Sequence, residues 1–434
     1  MDKMADVLGR AGAWCGQNKY LSAIKNAFQN FMPLTIAGAI GVLWCNVLVN
    51  DQTGLGLFFK PIMALDFLNP AFQAVNFCTI SCITVGITLG IAQEIGVWNM
   101  GAERAGYIPG LVGLAAWLSV TNTSHMVEGA KEAFTGIAGN ELGATGLFTG
   151  MIIGVLSVEL FCFFEKQDAL KIKMPEQVPP GVARAFEVLV PATITLIITA
   201  CIGSACYNLT GLYLNDVIKN GIQGPLGAVG ATIPGVMIIY LVIMLFWLVG
   251  IHGNNMLSAV KEALFTPLAL ENVEAFNKGE TPKNIINMYF LQMCGEFGGS
   301  GVTIGLVIAI MIFGKREDNK AIAGLSLVPG LFNINETVTF GIPMVLNPIL
   351  GIPFVFACLV TILVGYVLTV IGFCPVACLT VPWTTPPIVF GFLATGANVM
   401  GAVTQAILIV VSTVIYVPFL IAYEKYQNKQ AAEA

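Results

Sequence analysis

The 434-residue chain is 56% hydrophobic and only 10% charged, with a formal net charge of -5. Soluble domains keep about 25% of their residues charged, so too little charge is present to coat a water-facing surface, and a small acidic excess without a long basic block argues against a nucleic-acid partner. Apolar runs of bilayer length recur along the whole chain. Their backbone groups are satisfied in lipid only within helices or a closed barrel, and the runs are far longer than barrel strands, so the expected fold is an all-α polytopic membrane protein.

In chain order, Lys3, Arg10, Lys19 and Lys25 stand in a mixed amphipathic stretch without a cleavable signal pattern, which reads as a cytoplasmic lead-in over 1–26. Candidate spans follow at 27–49, 72–93, 105–121, 143–164, 186–207, 228–250, 299–314, 344–373 and 397–423. Lys and Arg collect on the cytoplasmic side of short loops. The loop 165–185 holds Lys166, Lys171, Lys173 and Arg184, against Lys60 and Lys131 alone in the outer loops between, which fits four crossings from the lead-in. Six spans ending near 250 would leave Lys315, Arg316 and Lys320 outside, so one more crossing must lie between 251 and 298. There, two apolar pieces, 254–270 and 284–298, flank the polar ENVEAFNKGETPKN, which reads as a re-entrant hairpin plus a crossing. The total becomes about ten spans, with Lys425 and Lys429 also inside. The 11 cysteines, among them Cys45, Cys78, Cys82, Cys201, Cys206 and Cys358, mostly sit in apolar spans with neither a CxxC pair nor a zinc spacing, and read as small packing residues. No metal or cofactor is expected.

The two halves differ in texture. After residue 250, Gly, Pro and Asn interrupt the apolar stretches in GIHGNN (250–255), GGSG (298–301), LFNINETVTFGIP (331–343) and VPWTTPP (381–387). Irregular backbone at membrane depth is tolerated only where it is buried in protein or lines a cavity, so these motifs are expected to converge on one polar site. The first half, with uninterrupted spans, reads as scaffold.

Two histidines are present. His125, in the polar TNTSHMVEG, reads as an ordinary exposed residue. His252 follows the apolar MIIYLVIMLFWLVG; at membrane depth it needs a partner or a wet cavity, or it ties two helices together by a hydrogen bond. Glu336 lies among Asn333 and Asn335 in a broken apolar segment. That set can accept from and donate to sugar hydroxyls, and a desolvated carboxylate can act as a general base toward a hydroxyl; the plainer alternative is a charge that caps a half-helix or pairs with a basic residue. Trp383 and Trp247 are aromatic candidates to pack on the C–H face of a pyranose, Trp247 being equally suited to an interfacial anchor. Glu94 reads as the end of the second span. Lys261, Glu262 and Glu296 are candidates for pairing charges. There is no GxxxxGK[ST] loop and no selectivity-filter or arginine-repeat motif, which leaves a secondary symporter open.

Six stretches, AIKNAFQNFMPLTIAGAI (23–40), GIHG (250–253), TPLALEN (266–272), GGSGVTIGL (298–306), NINETVTFGIPMVLNP (333–348) and PWTTP (382–386), resemble the membrane-embedded IIC component of the bacterial sugar phosphotransferase system, in the lactose, cellobiose and diacetylchitobiose family. The resemblance implies ten membrane helices with two re-entrant hairpins, about 254–298 and 329–343, and a homodimer built through a scaffold over 27–215. It implies a substrate-binding transport domain over 216–424 and a short cytoplasmic tail, 425–434, in the bacterial cytoplasmic membrane with both termini inside. It further implies that a β-linked disaccharide of the cellobiose or diacetylchitobiose type is taken inward and phosphorylated on a 6-hydroxyl by a phosphocysteine on a separate IIB protein, itself charged by IIA. The chain would then be the membrane subunit of a sugar phosphotransferase that borrows its phosphoryl donor. Carried over by position, His252 and Glu336 lie nearest that hydroxyl, Asn333 and Asn335 flank it, and Trp247 and Trp383 line the sugar; the pair Asn254 and Asn255, read as particular to this member and not carried over, is also assigned to substrate binding. The rival reading is a proton-coupled sugar symporter in which Glu336 and His252 relay protons.

Overall fold

The long apolar runs fold as helices, and polar residues inside them decide where those helices break. The computed structural model describes residues 10, 13–14, 17–51, 55–125, 134–175, 177–342 and 344–433; Lys3, Lys131 and Pro343 lie outside the described residues. The longer helices are α1 (Lys19–Leu43), α2 (Asn69–Asn76), α3 (Ile83–Met100), α4 (Ile108–Val120), α5 (Ala144–Glu165), α6 (Pro180–Thr210) and α7 (Ile233–Leu248). Then come α8 (Gly253–Met256), α9 (Ser258–Asn277), α10 (Met288–Gly295), α11 (Ile304–Phe313), α12 (Glu317–Leu331), α13 (Glu336–Gly341), α14 (Gly351–Val370), α15 (Val389–Ala394) and α16 (Val399–Glu433). Among the described residues, five single helices are long and apolar enough to cross a bilayer, up to seven spans if two bent pairs are each counted as one, and α4 and α7 are shorter apolar helices. The stretch expected to hide one more crossing holds the 20-residue α9, whose Lys261, Glu262, Glu271 and Glu274 dilute its apolar character.

The described chain forms two compact units, one of residues 17–38 and 74–228, the other of residues 39–73 and 229–434 with the described residues before 17. In the first unit α3, α4, α5 and α6 pack around Ala116, Trp117, Val120 and Ile153. Glycines at 146, 150 and 154 put a small-residue stripe on α5, and a Cβ on Gly150 would run into the Thr88 and Thr84 side chains of α3. Close backbone approach of this kind is how helices associate in lipid, where no hydrophobic force separates helix from solvent. At the ends of α5 and α6, the buried Glu165 is shared by Arg104 and Arg184 at 2.8 and 3.0 Å, and Glu187 completes the set.

The scaffold half is not uninterrupted. Single π-helical turns occur at Trp44–Leu48 and Phe77–Ser81, and a 3-10 helix runs over Lys60–Leu68. The local cause is side-chain competition for helix carbonyls: Asn46 Nδ2 donates to the Val42 carbonyl at 3.1 Å, and Thr79 Oγ1 to that of Val75 at 2.6 Å. Neither Gly nor Pro marks the two π-helical turns, whereas Pro61 stands in the first turn of the 3-10 helix. A two-stranded hairpin, β1 (Ser124–His125) with β2 (Phe134–Thr135), is the one non-helical element among the described residues. It half-buries His125, whose Nε2 lies 3.1 Å from the Asn122 carbonyl and whose ring meets Phe134.

In the second unit the crossing expected at 299–314 begins earlier. Residues Met288–Val302 and α11 form one broken run with a 59° bend at the GGSG motif. The polar loop before α10 is closed by asparagines: Asn272 and Asn287 each donate to the Ala377 carbonyl at 3.0 Å, and Asn287 Oδ1 caps α10 through the Tyr289 and Phe290 amides. At the start of α12, Glu424 of α16 accepts from the amides of Lys315 and Arg316, supplying a cap that the sequence around Arg316 lacks. Next to it the Arg316 guanidinium holds the Asp318 carboxyl below the usual carboxylate range.

Candidate functional site

The motif GIHG ends α7 and starts α8. His252 is the N-cap of α8, and its Nδ1 accepts from the Asn255 amide at 3.3 Å. A ring nitrogen that accepts carries no hydrogen, so the neutral imidazole bears its proton on Nε2. Gly253 permits this fold-back, since a Cβ there would strike the Ile243 carbonyl of α7. The imidazole lies against Trp247, centroids 4.4 Å apart, and Trp247 in turn meets Phe354 edge-on at 6.4 Å. Trp247 is only 2% exposed, so it backs the histidine.

Glu336 is the first residue of α13. Its Oε1 lies 4.0 Å from His252 Nε2, and the two side chains keep 48% and 38% of their surface open. Of the alternatives for this carboxylate, pairing with a basic residue therefore reduces to the imidazole. Two ties hold the pair: the Leu346 amide, just past α13, donates to the Leu248 carbonyl at the end of α7 at 2.8 Å, and Val345 lies against Gly250.

The two asparagines before Glu336 face inward. Asn333, in the left-handed region at φ 63°, accepts from the Gly298 amide at 2.6 Å and donates to the carbonyls of Trp383 and Thr385, the latter at 3.2 Å. Asn335, 4% exposed, donates to the Ser300 carbonyl at 2.8 Å. Asn254 donates to Ser300 Oγ at 2.9 Å. GGSG is thus the hub to which GIHGNN, NINE and PWTTP are fastened, and the expected convergence of these motifs is a hydrogen-bonded fact. Backbone amides and carbonyls freed by the breaks would be costly at membrane depth, and these side chains satisfy them. Asn255 is exposed beside His252. Trp383 is 44% exposed, in a turn closed by the Thr385 amide on the Pro382 carbonyl at 2.9 Å.

Three residues behind GGSG form a set in which Lys261 and Tyr240 are buried and Glu296 is largely so. Lys261 Nζ pairs with Glu296 Oε1, the same oxygen accepts from Tyr240 OH at 2.7 Å, and Nζ stands 5.6 Å from the Tyr240 ring centroid. Glu262 takes no part in that pair and accepts instead from Thr266 Oγ1 at 2.5 Å. Tyr240 and Gln405 carry structural ties that no motif in the sequence singled out. No group of three or more His, Cys, Asp or Glu side chains able to hold a metal occurs among the described residues.

Set together, an accepting carboxylate, a donating imidazole N–H, an exposed indole and exposed amide groups can bind a hydroxylated ligand and remove a hydroxyl proton. Both the sequence and the fold match known proteins. The family model "Phosphotransferase system, EIIC" matches residues 25–358. The oligo-beta-mannoside-specific EIIC component of Bacillus subtilis is 34% identical over 98% of this chain and 94% of its own. The cellobiose-specific EIIC component of Lactococcus lactis is 30% identical over 98% of each. A lactose-specific EIICB component of Staphylococcus aureus is 32% identical over 94% of this chain and 69% of its own length. The crystal structure of the transporter ChbC, the IIC component from the N,N'-diacetylchitobiose-specific phosphotransferase system, superposes with a TM-score of 0.88 at 29% identity over 97% of both chains. A family match over residues 25–358, with relatives at least 30% identical over nearly the whole length, leaves one conclusion: the chain belongs to the phosphotransferase system EIIC family.

Proposed function

We propose that the chain binds a β-linked disaccharide and carries it inward while the sugar's 6-hydroxyl, held between Glu336 and His252, is phosphorylated by the phosphocysteine of a cytoplasmic IIB protein. As an EIIC component it is a multi-pass membrane protein that binds sugar and works with IIB and IIA. The observation that carries the finer reading is the 4.0 Å approach of His252 Nε2 to Glu336 Oε1 with both side chains open. The choice of a β-linked sugar is supported by the relatives' specificities, oligo-beta-mannoside, cellobiose and N,N'-diacetylchitobiose.

The chemistry follows from the donor and acceptor inventory. The His252 Nε2–H donates to the 6-hydroxyl oxygen and orients it, and Glu336 accepts the hydroxyl proton as that oxygen attacks phosphorus. The P–S bond of the IIB phosphocysteine breaks and the thiolate leaves. Trp383 packs on the pyranose and Asn255 meets its hydroxyls, while Asn333, Asn335, Asn254 and Trp247 act mainly by fixing the groups that touch the sugar. The product gains nearly two negative charges beside Glu336, and the repulsion favours release inward.

Residues 27–215 serve as scaffold and homodimer contact, and residues 216–424 carry the sugar by shifting between outward and inward openings. The chain lies in the bacterial cytoplasmic membrane with both termini inside. A disaccharide lacking oxygen at carbon 6 of both rings tests the chemistry: it should compete for binding with cellobiose or mannobiose, yet incorporate no phosphate from charged IIB. Phosphate transferred to such an analogue would place the reaction on another hydroxyl and remove the proposed roles of Glu336 and His252.

A further inference from the structure

The turn that carries Trp383 hangs from two sides. Asn333 holds its carbonyls at 383 and 385. On the other side stands Gln405, on α16 and 1% exposed. Its Oε1 accepts from the Ile388 amide at 2.8 Å and the Gly391 amide at 2.7 Å, and its Nε2 donates to the Met293 carbonyl of α10 at 3.1 Å. All three of these hydrogen bonds go to backbone, and two of them satisfy amides at the start of α15 that no preceding carbonyl can reach.

The backbone under this clamp is strained. Ile388 sits at φ 75°, ψ -51°, a left-handed conformation that a β-branched residue avoids unless its surroundings hold it there. Between Ile388 and the indole lie Pro386 and Pro387, whose fixed φ makes the connection stiff. A shift at Ile388 is therefore passed through the two prolines to Thr385, whose carbonyl Asn333 holds, and from there through Thr384 to Trp383.

We infer that Gln405 is a positioning residue for sugar binding: by holding Ile388 in its strained conformation it sets the height and tilt of the Trp383 ring. The inference rests on Trp383 being the sugar platform proposed above. Gln405 touches no substrate; it acts through the turn.

The test is the steady-state rate of donor-dependent phosphorylation of cellobiose or mannobiose, whichever the transporter accepts, in four variants. Gln405→Leu should raise KM about tenfold, the worth of one to two buried hydrogen bonds, while kcat stays within about threefold. Gln405→Glu should restore the parent KM, because a buried carboxyl stays protonated and reproduces both acceptor and donor. Adding Ile388→Gly to Gln405→Leu should recover most of the lost KM, since glycine occupies positive φ without strain, and this pair carries the test if Gln405→Leu folds poorly. A merely structural glutamine would lower yield and kcat together without rescue by glycine at 388. Trp383→Ala separates the two claims. If it raises KM and Gln405→Leu does not, or if Ile388→Gly gives no recovery, the Gln405 inference fails; if Trp383→Ala leaves KM unchanged, the platform reading fails and takes this inference with it.

Discussion

Glu336→Gln should slow donor-dependent sugar phosphorylation by about 10²–10⁴-fold, the usual contribution of a positioned general base, while sugar affinity falls by less than about tenfold, the worth of one altered hydrogen bond. The separation follows from the site. Glutamine matches the carboxylate in size, stays at the first position of α13, and leaves intact the ties of Asn333 and Asn335 to GGSG, so the hydroxyl is still received. What is lost is the acceptor for its proton, and the His252 Nε2–H opposite cannot replace it, because Nδ1 is engaged by the Asn255 amide. Isothermal titration with sugar and a stopped phosphorylation assay read the two quantities separately. A variant that phosphorylates at the parent rate would remove Glu336 from the mechanism.

The second large effect lies outside the reacting groups. Lys261→Met should destabilise the transporter by about 3–5 kcal/mol, as expected when one member of a buried ion pair is removed and the other is left uncompensated. Lys261 is 6% exposed, its partner Glu296 stands two residues before the first glycine of the GGSG hub, and the same Glu296 oxygen already accepts from Tyr240. The double variant Lys261→Met/Glu296→Gln should recover most of the loss: a neutral amide still accepts from Tyr240 and leaves no buried charge. Thermal unfolding in detergent measures both. Equal stability of the single and double variants would show that the pair is not what braces the hub.

These expectations depend unequally on what could be read from the residues alone. The helical membrane fold follows from the scarcity of charge, and the convergence of GIHGNN, GGSG, NINE and PWTTP follows from the rule that broken backbone in lipid must be enclosed. His252 and Glu336 stand out because ionisable groups in apolar surroundings are costly and therefore few. The direction in which Asn333 and Asn335 turn was not legible: both could grip hydroxyls, but the backbone groups freed by the GGSG and PWTTP breaks lie closer, and the amides go to them. Exposure separates the two tryptophans, Trp383 open and Trp247 buried behind the imidazole, and exposure is a tertiary property. Gln405 is the one amide in the apolar part of α16, before Glu424, and nothing near it in sequence announces that its partners lie at 293, 388 and 391. The π-helical turns at Trp44–Leu48 and Phe77–Ser81 are similarly silent, because one asparagine or threonine bonding back to its own helix leaves no pattern in composition.

The central claim, that a carboxylate and an imidazole in a broken membrane segment serve phosphoryl transfer to a sugar and not proton exchange, is tested most directly by uptake of labelled disaccharide into proteoliposomes containing this chain. With charged IIB inside, the account predicts accumulation, and only as sugar phosphate; without a phosphoryl donor it predicts no accumulation under any imposed pH gradient. Concentrative uptake of unmodified sugar driven by a pH gradient alone would contradict it and make the chain a symporter.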